Sequence, residues 1–266
     1  MSELRTPLEI ALLNRDAAAA ADRLAAGDSP QDLNHLGIPV LYDGLRSNDV
    51  NLLQLLKDAG GDWTVPYNPG GFTPLIYASL HCELATVRWL VEQVGQSVTQ
   101  RTARGIGVMH VSVQRDNPEI ARYLYAQGAD AFVETAHGES PLLISLKSKH
   151  GLVLFRFMLE RYAETGRSLA GKILPCLGYI FERQQPDAVD ALSALLPFLE
   201  QVPSEMEIRE FVLRQGSCSA TPLRSPAVTL DGALSRALFA RVKAERVARS
   251  CGSASGAQTW RGFEGL

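Results

Sequence analysis

The residues best suited to chemistry are few and scattered. His81-Cys82-Glu83, with Pro175-Cys176 downstream, carries part of a pattern used for zinc-activated hydrolytic deamination. That reaction needs a His-x-Glu, followed by Pro-Cys-x-x-Cys to complete the ligand set. Tyr179 stands where the last thiolate belongs, and His81-Cys82 read as a turn between two helices. Gly252-Ser253-Ala254-Ser255-Gly256 resembles a nucleophile elbow, but Ala254 occupies the nucleophile's place and no strand precedes it. No GxxxxGK[ST], HExxH or EF-hand pattern occurs, so phosphate-loop, zincin and calcium-loop chemistry lack support. The five histidines fall in turns (His35, His137), between helices (His81, His150) or inside a recurring motif (His110), and carboxylates occur singly. The expectation is no catalytic residue, no metal site and no cofactor.

The elements that would have to position a site are helical. Ala and Leu recur while aromatic residues make up 7% of the 266 residues, and that mixture favours helices over strands. Hydrophobic residues at 46% and charged residues at 21% allow a sizeable core in one or two domains. A net charge of −3 lacks the basic surplus that nucleic-acid binding requires. Cys82, Cys176, Cys218 and Cys251 form no CxxC pair, so reduced thiols in a cytoplasmic protein are expected. Neither a signal peptide nor a membrane-spanning apolar run is legible, so no membrane partner is expected. Only five of the 26 basic residues are lysine, which with the many alanines suggests a GC-rich bacterial source.

A repeat organises the first two thirds of the chain. Gly71-Phe72-Thr73-Pro74-Leu75-Ile76-Tyr77-Ala78 returns as Gly105-Ile106-Gly107-Val108-Met109-His110-Val111-Ser112 and as Gly138-Glu139-Ser140-Pro141-Leu142-Leu143-Ile144-Ser145. Weaker copies begin at Thr6-Pro7-Leu8 and Ile38-Pro39-Val40. Aligned on positions 6, 38, 73, 107 and 140, the spacings are 32, 35, 34 and 33. In the better copies a hydroxyl caps a helix that opens on proline. A second apolar run follows at helical spacing (50–56, 84–91, 120–124 and 153–159), and glycine closes it, as in Gly60-Gly61-Asp62 and Gly128-Ala129-Asp130. Such a helix pair cannot bury its own faces, whereas stacked neighbours can.

Gly-x-Thr-Pro-Leu, the His110 motif and Gly128-Ala129-Asp130 resemble the ankyrin repeat, across residues 5–162. The resemblance implies an all-α, ankyrin-type helical solenoid of about five repeats. Residues 163–250 would be a helical extension, a degenerate repeat plus cap, and 251–266 a flexible tail. Within the extension, 168–183 and 187–200 read as a helix pair separated by Pro186. Leu169, Ile173, Leu177, Ile180 and Phe181 would face Val189, Leu192, Leu195, Leu196 and Leu199. A helix over 205–214, a Ser/Pro/Thr-rich loop over 216–226 and a last helix over 231–250 would follow. Arg236, Arg241, Lys243, Arg246 and Arg249 on that last helix read either as a solvated capping face or as a basic binding patch.

The resemblance also implies where binding occurs: a concave face built from projecting turns and the exposed ends of the first helices. Carried over by position, the first helices contribute Leu45 and Arg46, Leu80 and His81, Gln114 and Arg115, and Lys147 and Ser148. The turns contribute Trp63, Tyr67 and Asn68, then Arg101 and Arg104, then Phe132, Glu134 and His137. Trp63 and Phe132 read either as exposed anchors or as packing between turns, while Trp89 reads as core. The expectation is a non-enzymatic module, monomeric or in a heterocomplex, that binds another protein: an inhibitor or immunity protein. The alternative is a secreted effector that docks on a host protein, with residues 165–266 as its acting part.

Overall fold

The computed structural model describes residues 5–148, 151–182, 188–195 and 198. These fall into two compact units that part between Arg167 and Ser168. Among the described residues every regular element is helical, apart from isolated bridges joining Leu33 to Pro39 and Arg101 to Gly107. The first unit holds five helix pairs: α1 (Pro7–Leu13) with α2 (Ala17–Ala25), α3 (Leu41–Ser47) with α4 (Val50–Asp58), α5 (Pro74–His81) with α6 (Leu84–Glu92), α7 (Val108–Gln114) with α8 (Pro118–Ala126), and α9 (Pro141–Lys147) with α10 (Leu152–Thr165). Partners pack within each pair. First helices pack in the order α1, α3, α5, α7, α9, and second helices in the order α2, α4, α6, α8. The architecture is thus all-helical and compatible with a helical repeat.

Local chemistry starts most of the helices in the first unit. Thr6, Thr73 and Ser140 accept hydrogen bonds from the backbone N–H groups of Glu9, Ile76 and Leu143, and a proline follows each of them. α7 has neither device and uses a side chain from within the helix. His110 Nδ1 accepts from the Gly107 N–H at 3.1 Å, and its Nε2 lies 3.2 Å from the Glu139 carbonyl. Accepting at Nδ1 leaves the proton on Nε2, which then donates to Glu139, so one neutral ring serves both bonds. Asp16, Asp49 and Asn117 cap the second helices α2, α4 and α8. Gly60 and Gly128, just past α4 and α8, sit at φ 81° and 93°, the left-handed turn that ends a helix.

The turns between pairs set the register. Asn34, Tyr67, Thr102 and Thr135 donate their N–H groups to the carbonyls of Ile38, Phe72, Ile106 and Glu139, at 2.7, 2.7, 2.9 and 2.9 Å. Those four carbonyls are equivalent, and the next residue in each copy (Pro39, Thr73, Gly107, Ser140) leads into the following helix. The copies therefore begin at 6, 39, 73, 107 and 140, with spacings of 33, 34, 34 and 33. Alignment on Ile38 runs one residue early in the second copy. Pro39 resembles the proline after a cap but occupies the cap's own place, and α3 accordingly starts without a side-chain cap.

In the corrected register two positions are buried throughout. One carries Leu8, Leu41, Leu75, Met109 and Leu142, each fully or almost fully buried and each contributing about 1.5–3 kcal/mol by burial. The other carries only small residues: Ala11, Gly44, Ala78, Ser112 and Ser145. A β-carbon at Gly44 would lie 2.4 Å from Leu56 Cδ1, so this position sets how closely α3 and α4 approach. The two serines satisfy their hydroxyls by donating to the Met109 and Leu142 carbonyls.

The second unit contains α11 (Ala170–Glu182) packed on α12 (Ala188–Leu195), with Leu169, Ile173, Leu177, Ile180, Ala191 and Leu195 buried. Pro175 lies inside α11. Pro186, Leu196 and Leu199 and the side chains of Phe181, Val189 and Leu192 lie outside the described residues, as do the expected helix over 205–214, the loop over 216–226, the basic helix over 231–250 and the tail.

Candidate functional site

The motifs that open the chemical question serve packing in the structure. The Cys82 thiol donates to the Leu45 carbonyl at 3.2 Å, and burial pushes its pKa up to about 12. Burial likewise pushes the Cys176 thiol up to about 12. His81 stacks on Tyr77 with ring centroids 4.7 Å apart. Among the described residues no three His, Cys, Asp or Glu side chains are placed to hold a metal ion. His35 is tied down rather than projecting free. Its Nδ1 lies 2.5 Å from Glu9 Oε1, its N–H donates to Oε2, and Glu9 is wholly buried.

Two residues expected on an exposed face are in the core. Trp63 is 5% exposed and meets Trp89 edge-on, with centroids 5.0 Å apart, so the reading of Trp89 as core extends to its neighbour. The geometry explains the misplacement of Trp63. Asp62 accepts the Thr64 N–H as Asp130 accepts the Phe132 N–H, so Thr64 is the equivalent of Phe132. Trp63 matches Ala131, which is also buried. Leu45 is wholly buried because of the one-residue register shift, which makes it the equivalent of Leu12 and Val113. Arg46 then corresponds to Leu80 and Gln114, and Ser47, 5% exposed, to His81 and Arg115. Phe132 is half-buried, with Tyr162 edge-on at 4.7 Å and the Arg167 guanidinium 4.3 Å over its ring.

The remaining expected residues form two rows. One row runs along the turns. Ala103 N–H donates to the Gly70 carbonyl at 3.3 Å and Ala136 N–H to the Arg104 carbonyl at 2.8 Å, which ties successive turns side by side. Half-buried Tyr67 and Asn68 and exposed Arg101, Arg104, Glu134 and His137 lie along that row. Asn68 Oδ1 accepts the Phe72 N–H at 3.4 Å, so this side chain also braces its own turn. Arg101 faces Asp130 at 3.6 Å, a surface pair worth roughly 0–1 kcal/mol.

The second row lies at the ends of the first helices: exposed Arg46, His81, Gln114 and Arg115, with half-buried Leu80, Lys147 and Ser148. Lys147 is paired with Glu139 and holds that carboxyl below its usual range. Between the rows lies an aromatic cluster absent from the sequence reading. Tyr42 meets Tyr67 and Tyr77 edge-on at 5.2 and 5.0 Å, and Tyr67 and Tyr77 lie 4.6 Å apart. The Tyr42 hydroxyl donates to the Val65 carbonyl at 2.7 Å. Three side chains from three consecutive pairs converge here: Arg115 donates to the Cys82 carbonyl beside His81, and burial together with Arg115 and Arg46 holds the His81 pKa below its ordinary value. No single copy of the repeat carries this pattern, because its members come from different copies.

No protein-family model matches the chain. It is similar to the Ankyrin repeat and SAM domain-containing protein 6 of Rattus norvegicus, with 25% identity over 171 residues. The matched segment covers 63% of this chain, and the chain spans 19% of the length of that protein. No described helix is long and apolar enough to cross a membrane. The helix pairs are compatible with a helical repeat, and the similarity to an ankyrin-repeat protein is distant.

Proposed function

We propose that this chain is a non-enzymatic protein-interaction module of the ankyrin type. The first helices and the turns form a concave face that takes one folded protein partner, and the role is that of an inhibitor or immunity protein acting on a toxin or enzyme. The observation that carries the reading is the side-by-side alignment of equivalent positions, which presents Tyr67, Arg104, His81, Gln114 and Arg115 from successive pairs as one surface. Arginine and tyrosine are enriched among residues that dominate interface energies. The similarity to an ankyrin-repeat protein supports the same reading.

The test is capture of the full chain's partner from source cells, followed by reconstitution with the purified partner. Gln114→Trp and Arg104→Ala both lie on exposed positions of this face and should weaken the complex by about 1–2 kcal/mol or more. Unchanged affinity for both variants would place the interface elsewhere. Substrate turnover by the purified chain without any partner would replace the reading altogether.

A further inference from the structure

The array is acidic overall, yet two guanidiniums stand on the first-helix row beside His81. Arg46, His81 and Arg115 come from three consecutive pairs, and His81 lies against Tyr77 of a tyrosine cluster in which Tyr42 and Tyr77 are buried and Tyr67 is half-buried. Arg115 is held in place by its bond to the Cys82 carbonyl. Arg46 forms no ion pair with any described residue, although it lies near enough to influence both Tyr77 and His81. Two acids flank this group. Asp43 is 4% exposed, accepts from Asn34 Nδ2 at 2.8 Å, and is held above the usual carboxylate range chiefly by burial. Glu83 is exposed beyond Cys82, and its N–H donates to Asn48.

We propose that Arg46, His81 and Arg115, with the half-buried Tyr67 nearby, bind an acidic segment of a partner protein whose carboxylates meet the two guanidiniums. The proposal rests on the first-helix and turn face being the binding face, and adds the chemistry of what it binds. A guanidinium offers a carboxylate two parallel donors, and Arg115 needs little ordering because it is already hydrogen-bonded. Tyr67, the half-buried ring of the cluster, supplies rigid, partly apolar contact beside the charges. Complementary charge sets orientation and association rate, so binding to this stripe weakens as salt rises.

The test measures fluorescence anisotropy of a labelled glutamate-rich peptide, its glutamine counterpart and a duplex oligonucleotide against the full chain. The glutamate peptide should bind at low salt, at least about tenfold more tightly than the glutamine peptide. Arg46→Glu with Arg115→Glu should abolish that difference. Arg122→Glu with Arg156→Glu, on exposed positions of α8 and α10, should preserve it. Circular dichroism melts of both double variants check that the fold persists. Equal binding of the two peptides, equal loss in both double variants, or tighter binding of the oligonucleotide through the same arginines would each overturn the proposal. If the native partner is displaced by Gln114→Trp but not by Arg46→Glu with Arg115→Glu, the face is right and the acidic-segment assignment fails.

Discussion

Two aromatic clusters within the same pairs of helices differ at their edges. Trp63 and Trp89 meet edge-on where the chain leaves α4 and along α6, and both are buried. Tyr42, Tyr67 and Tyr77 meet at similar distances, and Tyr42 and Tyr77 are as buried as the tryptophans, but Tyr67 stays half-buried and His81 lies against Tyr77. Residue type does not separate them. Position within the repeat does: Trp63 follows Asp62, which accepts the Thr64 N–H, and is buried, whereas Tyr67 lies in the projecting turn and is half-buried. The comparison separates an aromatic set that holds the pairs together from one that also has a surface to offer.

Substitutions can break that contrast, and Trp89→Ala should have the largest effect. Removing a buried ring against Trp63 should cost about 3–5 kcal/mol in urea unfolding. A loss near zero would mean that the tryptophan pair is not core. Tyr42→Phe deletes one hydroxyl that donates to Val65 and should cost about 1 kcal/mol, measured the same way. Arg104→Ala should move stability by less than about 0.5 kcal/mol, since its side chain is exposed and pairs with no described carboxylate. A large loss there would show that the turn row is structural.

Acid supplies a further test, smaller in the native window. Burial holds His110 below its ordinary pKa of 6.5, so the unfolded chain binds this proton first as pH falls. Stability should be fully present above about pH 6.5 and decline below it, because protonation removes the Nδ1 acceptor that caps α7. His81 shifts in the same direction, so the two contributions must be separated. The pH slope of the unfolding midpoint between about pH 7 and 5.5 should flatten in His110→Gln and change less in His81→Gln. An unchanged slope in His110→Gln would remove the ring from its capping role.

Much of the helical order was legible from local signals. Thr6, Thr73 and Ser140 before proline mark first helices, and Gly60 and Gly128 mark the ends of second ones, because caps and left-handed turns need particular residues within a few positions. In the second copy Pro39 stands in a cap's place, so the local motif points one residue early and assigns the buried Leu45 to the surface. Arg46, His81 and Arg115 were identifiable one by one. So was Tyr67, but its contacts with Tyr42 and Tyr77 were not, because the three occupy different positions of their copies and meet only across pairs.

The sequence by itself determined the helices, their pairing and the period near 33, since these depend on short-range capping and on apolar spacing along one chain. Only the tertiary structure decided that Trp63, Tyr42 and Tyr77 close into the core while Tyr67 keeps part of its ring at the surface. Burial is a property of neighbours, and here the neighbours come from other copies of the repeat.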